Sequence, residues 1–133
     1  MTSRIVVDQI DGSTTAGSIV TQGEGTKTTN LQQGLSKAWF QIIQDSTHTL
    51  EDSLNISGIT DAGAGETSVN FDNVMANNDY AGQLTCQSAN NRRAMSNAPS
   101  TTRVKVEVYQ VSTNSTPADA TGGVSGTVHG DLA

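Results

Sequence analysis

Apolar and polar residues alternate most regularly in residues 52–71. An alternation with a period of two is typical of a half-buried β-strand. It is interrupted once, where Gly63 and Gly65 allow the positive φ angles that a tight turn requires. The stretch therefore predicts a β-hairpin. Its expected core side chains are Leu54, Ile56, Val69 and Phe71.

The same alternation occurs in three later segments. In residues 102–111, valines occupy alternate positions, and the positions between them are mostly charged. Such a run is typical of a strand with one face in the core. Shorter runs of this kind predict strands at residues 80–87 and 124–130, and the last of these brings the C-terminus into a sheet.

Two polar segments between the strands predict loops. Residues 72–79 are dense in Asn and Asp, with Val74 and Met75 expected beneath the loop. Residues 88–100 are the longest stretch of the domain in which no regular pattern is visible. Connections of this length are often functional or mobile, so we expect partner contacts here.

Residues 35–44 contain the single Trp and one of the two Phe. As a strand, the segment has Ala38, Phe40 and Ile42 on one face and Trp39 on the other, so both faces carry apolar groups. A strand of this kind is central in a sheet or lies at a subunit interface. Helical spacing also fits some of these residues, so a helix is the alternative. We favour the strand, with Trp39 as a candidate subunit-interface residue.

The first 34 residues carry only two short apolar patches in a polar chain. Such a segment cannot offset the entropy cost of its own ordering. We therefore expect residues 1–34 to be an extended arm that docks on a partner or exchanges strands with sister subunits, followed by a compact domain at residues 35–133. A frayed terminus is the alternative. The candidate anchoring residues of the arm are Ile5, Val6, Val7, Ile10, Ile19 and Val20.

Composition agrees with many short strands. The chain has 13 Gly and is rich in Ser and Thr, which suit turns and pleated surfaces. Hydrophobic residues make up only 34% of it, so they must be well placed or a neighbouring subunit must supply burial. About six closely spaced strands without a convincing helix predict an all-β fold, an antiparallel β-sandwich with an extended N-terminal arm.

Charge and hydropathy argue against several classes of protein. The net charge is −6, and the seven Lys and Arg are scattered, whereas nucleic-acid binding needs clustered cations. No run approaches the roughly 20 apolar residues that cross a bilayer. The N-terminus lacks the apolar segment of a signal peptide, so we expect synthesis in a cytoplasm.

No spacing of catalytic or metal-ligating residues stands out. His48 and His129 are far apart and fit no triad or metal motif, so each is expected at the surface or hydrogen-bonded inside. Asp61 and Glu66 flank the hairpin turn but supply few oxygen ligands for calcium. Cys86, the single cysteine, cannot form an intrachain disulfide and is expected to be a small buried hydrophobe. We expect no enzyme activity, no cofactor and no metal.

Four segments occur in the order known from one group of proteins. They are Lys37-Ala-Trp39, the stretch from Asp52 to Phe71, Met75-Ala-Asn-Asn-Asp-Tyr-Ala81 and Val128-His-Gly-Asp131. The pattern resembles the small β domain of tail-fibre and head-fibre-like virion structural proteins of tailed, especially marine, bacteriophages. The resemblance covers residues 35–132. The opening Ile5-Val-Val-Asp-Gln-Ile10 is similar to the anchoring or trimer-threading segment of such proteins.

The resemblance implies a virion protein made in the host cytoplasm. It implies a short tail fibre or receptor-binding and adhesion module. The alternative is a capsid decoration protein, of the head-fibre or cement type, anchored to the major capsid protein through its N-terminal arm. The implied partners are other tail or capsid proteins, two further copies in a homotrimer, and a host surface glycan, without nucleic acid or membrane insertion.

Asn and Arg side chains around an exposed aromatic ring suit the recognition of sugars, and the predicted loops supply them. The alternative is that Trp39 is in the core or an interface and that the Asn-rich loops are merely solvated. The candidate partner or receptor contacts are Asn77, Asn78, Asp79, Asn90, Asn91, Arg92, Arg93 and Tyr109.

Overall fold

The computed structural model of the protein describes residues 5–12, 19–22, 25–87, 91–112 and 116–133. Contacts along the chain separate two compact units, Met1–Leu35 and Ser36–Ala133. The second unit contains every long strand, so the fold of the protein is largely the fold of this unit.

The N-terminal unit contains a short hairpin and one helical turn. Strand β1 (Val20–Gln22) pairs antiparallel with β2 (Thr28–Asn30), and α1 (Leu31–Gly34) follows directly. The backbone N–H of Leu31 donates to the carbonyl of Ile19 at 2.9 Å. The sequence pattern did not predict this helical turn.

The second unit consists of two four-stranded antiparallel sheets. Its strands are β3 (Ala38–Ile43), β4 (Thr49–Leu54), β5 (Ile56–Gly63), β6 (Glu66–Phe71), β7 (Ala81–Cys86), β8 (Arg92–Ser100), β9 (Arg103–Gln110) and β10 (Val124–His129). The first sheet has the order β4-β3-β10-β7, and the second has the order β5-β6-β9-β8. The predicted all-β sandwich is confirmed.

The core lies between the two sheets and follows the period-two pattern. Ala38, Phe40 and Ile42 of β3 are buried, and β3 lies inside its sheet, so the strand interpretation of residues 35–44 is confirmed. The alternate valines of β9 are fully buried as well. The core residues are Ala38, Phe40, Ile42, Val69, Phe71, Met75, Val104, Val106, Val108, Ala120, Val124 and Val128.

The predicted hairpin is present but begins later than expected. Leu54 ends β4 in the first sheet, and Ile56 begins β5 in the second. Asn55 between them has a φ of 57°, a left-handed conformation that carries the chain from one sheet to the other. Leu54 is 49% exposed, so its predicted core position is wrong. The predicted burial of Val69 and Phe71 is confirmed.

The predicted loop at residues 88–100 is wrong for its larger part. Residues 92–100 form β8, an edge strand paired with β9, and residues 88–90 lie outside the described residues. Opposite the core valines Val106 and Val108, the strand holds Ser96 and Ala94. These side chains are too small and too polar to produce a visible hydrophobic alternation.

The loop predicted at residues 72–79 is confirmed, and it closes over the core. Met75 is buried, as expected, but Val74 is exposed, so its predicted position beneath the loop is wrong. Met75 forms an isolated bridge with Leu132, and the N–H of Ala133 donates to the carbonyl of Val74 at 3.0 Å. The C-terminus is thereby tied to this loop.

Candidate functional site

Asn55 joins three segments at one end of the sandwich. Its side-chain amide donates to the carbonyl of Lys37 at 3.1 Å and to the carbonyl of Asn73 at 3.0 Å. Its Oδ1 accepts the backbone N–H of Asn73 at 2.6 Å. Because these bonds fix both ends of the side chain, Asn55 holds the crossing between the sheets in place.

Backbone hydrogen bonds join the C-terminal segment to the same end. The N–H of Lys37 donates to the carbonyl of Val128 at 2.8 Å, and the N–H of Ala76 donates to the carbonyl of Asp131 at 2.8 Å. The four segments that carry the resemblance therefore build one hydrogen-bonded unit. The residues that make these hydrogen bonds therefore have a structural role.

The predicted contact residues fall into two groups. Asn77, Asn78 and Asp79 are exposed in the loop before β7, at the Asn55 end of the sandwich. Asn91 is also exposed, but it lies next to the opposite end of β9, and Asn90 is outside the described residues. The eight residues of β9 separate the two ends by roughly 23 Å at the rise of an extended strand. The two groups therefore do not form one continuous rim.

Arg93 and Tyr109 do come together. They are cross-strand neighbours on β8 and β9, and the guanidinium carbon of Arg93 lies 5.7 Å from the ring centroid of Tyr109. This geometry is a cation–π contact on the outer face of the second sheet. Arg92 is directed elsewhere, because its Nε donates to the carbonyl of Asp119 at 3.3 Å.

Five polar side chains on this outer face bond to one another, centred on Glu107. Glu107 is only 5% exposed, and its carboxylate accepts hydrogen bonds from Asn97 at 3.0 Å and from Tyr109 at 2.9 Å. Lys105 lies 2.9 Å from Glu107 and 3.0 Å from Glu66. These five side chains are therefore engaged with one another, while the buried Nε of Arg93 has no hydrogen-bond partner among the described residues.

The network shifts the titration of its members. Hydrogen bonding from Asn97, followed by that from Lys105 and Tyr109, lowers the pKa of Glu107 against the opposing effect of burial. The hydrogen bond to Glu107 raises the pKa of Lys105 and also that of Tyr109. Apart from this network, burial raises the pKa of Tyr80, whose hydroxyl donates to the carbonyl of Arg103 at 2.8 Å.

The outer face of the first sheet is different, because it contains a shallow concavity of about 410 Å³. Its side chains come from three adjacent strands, β3, β10 and β7. We call it the Trp39 concavity, after the indole ring in its lining. Its outward-facing lining residues are Trp39, Gln41, Gln83, Thr85, Ser125 and Thr127.

A second polar cluster lies at the other end of the sandwich, around His48. The imidazole is buried, with Nδ1 2.8 Å from Thr67 Oγ1 and 3.6 Å from Asp61, and with Nε2 3.5 Å from Asp119. The amide of Gln44 donates to the Thr67 hydroxyl at 2.9 Å. His48 is therefore hydrogen-bonded inside the protein, which is one of the two positions expected for it.

The His48 cluster (His48, Thr67, Gln44, Asp61 and Asp119) contains a hydroxyl beside an imidazole and two carboxylates, the same groups as a catalytic nucleophile with its base. Its geometry does not suit that chemistry. Thr67 is fully buried, so no substrate reaches its hydroxyl in this conformation. The two carboxylates lie at opposite ring nitrogens, so they do not converge on one metal position with His48. No motif spacing predicted this cluster, since its residues come from the β3–β4 turn, from strands β5 and β6, and from the connection before β10.

Asp61 and Glu66 flank the hairpin turn, and each of the two carboxylates has a different partner. Asp61 accepts the backbone N–H of Gly63 at 2.9 Å, while Glu66 pairs with Lys105. Within the described ranges, no group of three or more His, Cys, Asp or Glu side chains is placed to bind a metal ion. Among the helices of the described residues, none has the length and apolar character needed to cross a membrane.

Comparison of the chain with protein-family models, with curated protein sequences and with solved structures gives no match. Of the surfaces described above, the Trp39 concavity is the one whose polar groups face outward without an internal network.

Proposed function

We propose that the protein is a structural component of a bacteriophage virion, acting as a short tail-fibre or receptor-binding and adhesion module. One observation carries this proposal. The four segments that resemble phage fibre domains are joined by hydrogen bonds through Asn55, Lys37 and the C-terminal strand. The resemblance therefore concerns one physically coherent part of the scaffold, and four unrelated coincidences would not be expected to meet there.

Immunogold electron microscopy of purified particles of the phage that encodes the chain tests this proposal. An antibody against the sandwich is expected to label the tail or its baseplate. Label over the whole head would favour the decoration function instead. Particles that carry no label, from lysates in which the protein is present, would contradict both.

A capsid decoration protein is the second candidate, and the exposed apolar side chains of the N-terminal segment favour it. Ile5 is 86% exposed and Val6 is 72% exposed, and Val7 and Ile10 are exposed as well. Exposed aliphatic side chains in a row are stabilised when a partner covers them. In this proposal they anchor the protein to the major capsid protein.

Substitution of the exposed aliphatic residues tests the anchoring role. Ile5→Asp combined with Val7→Asp is expected to abolish incorporation into particles, because the charges oppose burial of the segment. Val74→Asp, at an exposed aliphatic residue of the sandwich, is the matched control and is expected to be incorporated normally. Normal incorporation of the double variant would contradict the anchoring role.

We also propose that the protein assembles as a homotrimer. The low hydrophobic fraction of the chain, 34%, and the exposed N-terminal aliphatic residues support burial between subunits. Sedimentation equilibrium of the purified full chain measures this directly. A monomer at all concentrations reached would contradict the trimer.

A further inference from the structure

The Trp39 concavity presents two rows of side chains across the first sheet. Cross-strand pairing aligns Trp39 with Thr127, and Thr127 with Gln83. It also aligns Gln41 with Ser125, and Ser125 with Thr85. Directly opposite residues of antiparallel strands project from the same face. The concavity is thus an aromatic ring with amide and hydroxyl groups beside it on β3, β10 and β7, while Leu54 of β4 lies opposite Trp39 on the other side.

The polar groups of the concavity are neutral, and most of them are unengaged. Ser125 accepts a hydrogen bond from the amide of Gln87 at 2.7 Å. In the part of the chain that the structure describes, the side chains of Gln41, Gln83 and Thr127 have no hydrogen-bond partner. On the outer face of the second sheet, by contrast, Lys105 pairs with Glu66 and Glu107, and Glu107 also accepts a hydrogen bond from Tyr109.

Charge restricts the chemistry of the occupant. No cation is among the residues that line the concavity. The charged groups next to the lining are the carboxylate of Asp52, opposite Gln41, and the buried Lys37, two residues before Trp39. The chain as a whole carries a net charge of −6. An anionic ligand would find no cation among the lining residues, whereas a neutral ligand with many hydroxyl groups finds both donors and acceptors.

Shape argues against a second copy of the same face. A two-fold interface brings identical patches together, and two concavities that face each other leave a void between them. A single ring-sized group fills such a depression better. The exposed C–H faces of a sugar ring are apolar, while its rim carries hydroxyl groups, which matches an indole beside amides and hydroxyls.

We propose that the Trp39 concavity binds a neutral saccharide unit, with the sugar ring against Trp39 and its hydroxyl groups on Gln41, Gln83 and Thr127. The inference names the ligand class of the adhesion module and so rests on the function proposed above. It moves the receptor contact from the loops to a sheet face.

Trp39 is the only tryptophan of the chain, so its fluorescence reports on this site alone. The full-length protein is titrated with a panel of neutral oligosaccharides, comprising maltohexaose, cellohexaose, xylohexaose, mannohexaose and chitohexaose, and with hexagalacturonate as the anionic probe. A saturable change of the emission with at least one neutral sugar is expected. No response to any of them, or a response to hexagalacturonate alone, would overturn the proposal.

Variants identify the contacts by calorimetric titration with the same sugar. Gln41→Ala combined with Gln83→Ala is expected to weaken binding at least tenfold, and Trp39→Ala to abolish it. Asn70→Ala, on the outer face of the second sheet, is the matched control and should bind as the wild type does. Unchanged binding by the double variant would refute these contacts. Self-association of the wild type that Trp39→Ala abolishes would show a subunit interface instead and overturn the saccharide site.

These outcomes are separable from the test of the virion function. Gold label on the tail without sugar binding would leave the virion proposal standing and remove the saccharide site. Sugar binding by a protein that is absent from particles would establish the saccharide site and contradict the virion proposal.

Discussion

His48 Nδ1 lies 2.8 Å from Thr67 Oγ1, and the neighbours of this pair decide which atom carries the proton. The backbone N–H of Ala120 donates to Gln44 Oε1 at 3.3 Å, which turns the amide nitrogen of Gln44 towards Thr67. The Thr67 hydroxyl therefore accepts from Gln44 and has its own proton available for His48 Nδ1. We therefore expect neutral His48 to be protonated at Nε2, which faces Asp119, with Nδ1 as the acceptor although Asp61 also lies 3.6 Å from it.

The first prediction is this tautomer. In ¹⁵N NMR spectra of the imidazole, Nε2 of neutral His48 is expected to show the shift of a protonated nitrogen and Nδ1 that of an acceptor. The half-buried His129 supplies an internal comparison within the same spectrum. A protonated Nδ1 in the neutral ring would contradict the hydrogen-bond order.

The second prediction concerns the stability that Thr67 provides. Thr67→Val keeps the shape of the side chain but leaves the Gln44 amide and His48 Nδ1 without their shared partner. Since buried unpaired groups cost about 1–3 kcal/mol each, we expect the free energy of unfolding to fall by about 2–4 kcal/mol. Urea denaturation measures it. Thr60→Val on an exposed part of β5 is the control, with an expected change within about 0.5 kcal/mol.

The third prediction separates backbone strain from a steric clash in the hairpin turn. Gly65 has a φ of 71°, and a Cβ there would lie 2.5 Å from the carbonyl oxygen of Val108. Gly63 has a φ of 125°, with open space around its Cβ position. Gly63→Ala is expected to cost about 1–2 kcal/mol through strain, and Gly65→Ala about 3 kcal/mol or more. Equal losses in thermal and urea unfolding would contradict the clash.

The fourth prediction tests Asn55 at the crossing between the sheets. Asn55→Gly keeps the left-handed backbone and loses the side-chain hydrogen bonds, so we expect a loss of about 1–3 kcal/mol. Asn55→Ala is expected to be less stable than the Gly variant by about 1 kcal/mol, because a Cβ disfavours the positive φ. An alanine variant as stable as the glycine variant would indicate that the backbone relaxes at this position.

The fifth prediction follows from the lowered pKa of Glu107. A carboxyl whose native pKa lies below its ordinary value stabilises the fold above that value and loses this contribution as the pH falls through the native pKa. The ordinary value is 4.5. The stability difference between the wild type and Glu107→Gln should therefore shrink between about pH 6 and pH 3. Urea midpoints across this range measure the difference.

The control for the fifth prediction is Glu51→Gln, which removes an exposed carboxylate from β4. The stability of this variant should depend on pH over the same range as that of the wild type does. If the Glu107→Gln variant lost stability in parallel with the wild type, the network around Glu107 would not be the source of the effect.

Alternation of side chains along the chain predicted the strands that carry the core. Val104, Val106 and Val108 are buried because alternate residues of any strand share a face, and that relationship needs no knowledge of the neighbouring strands. The glycines of the hairpin turn were recognisable for a similar reason, since positive φ angles restrict the residue type locally. Both are properties of short stretches of chain.

The sequence pattern did not predict which strand lies at the edge of a sheet, or where the chain passes from one sheet to the other. Residues 92–100 pair with β9 although their sequence lacks a hydrophobic alternation, because an edge strand contributes little to the core. The alternation continues from Leu54 to Ile56, while the chain passes between sheets at Asn55. Backbone pairing, which is insensitive to side-chain identity, outweighed the local pattern in both places.

The binding surfaces depend on register between distant segments. His48 lies in the β3–β4 turn, Thr67 in β6 and Asp119 in the connection before β10. Trp39 meets Thr127 and Gln83 through strands that are far apart in the chain. A one-residue slip of β10 would remove Thr127 from this face, since every side chain would change sides. Local alternation was enough to predict strands and a sandwich. The polar cluster at His48 and the Trp39 concavity exist only because long-range pairing aligned residues whose spacing in the sequence carries no signal.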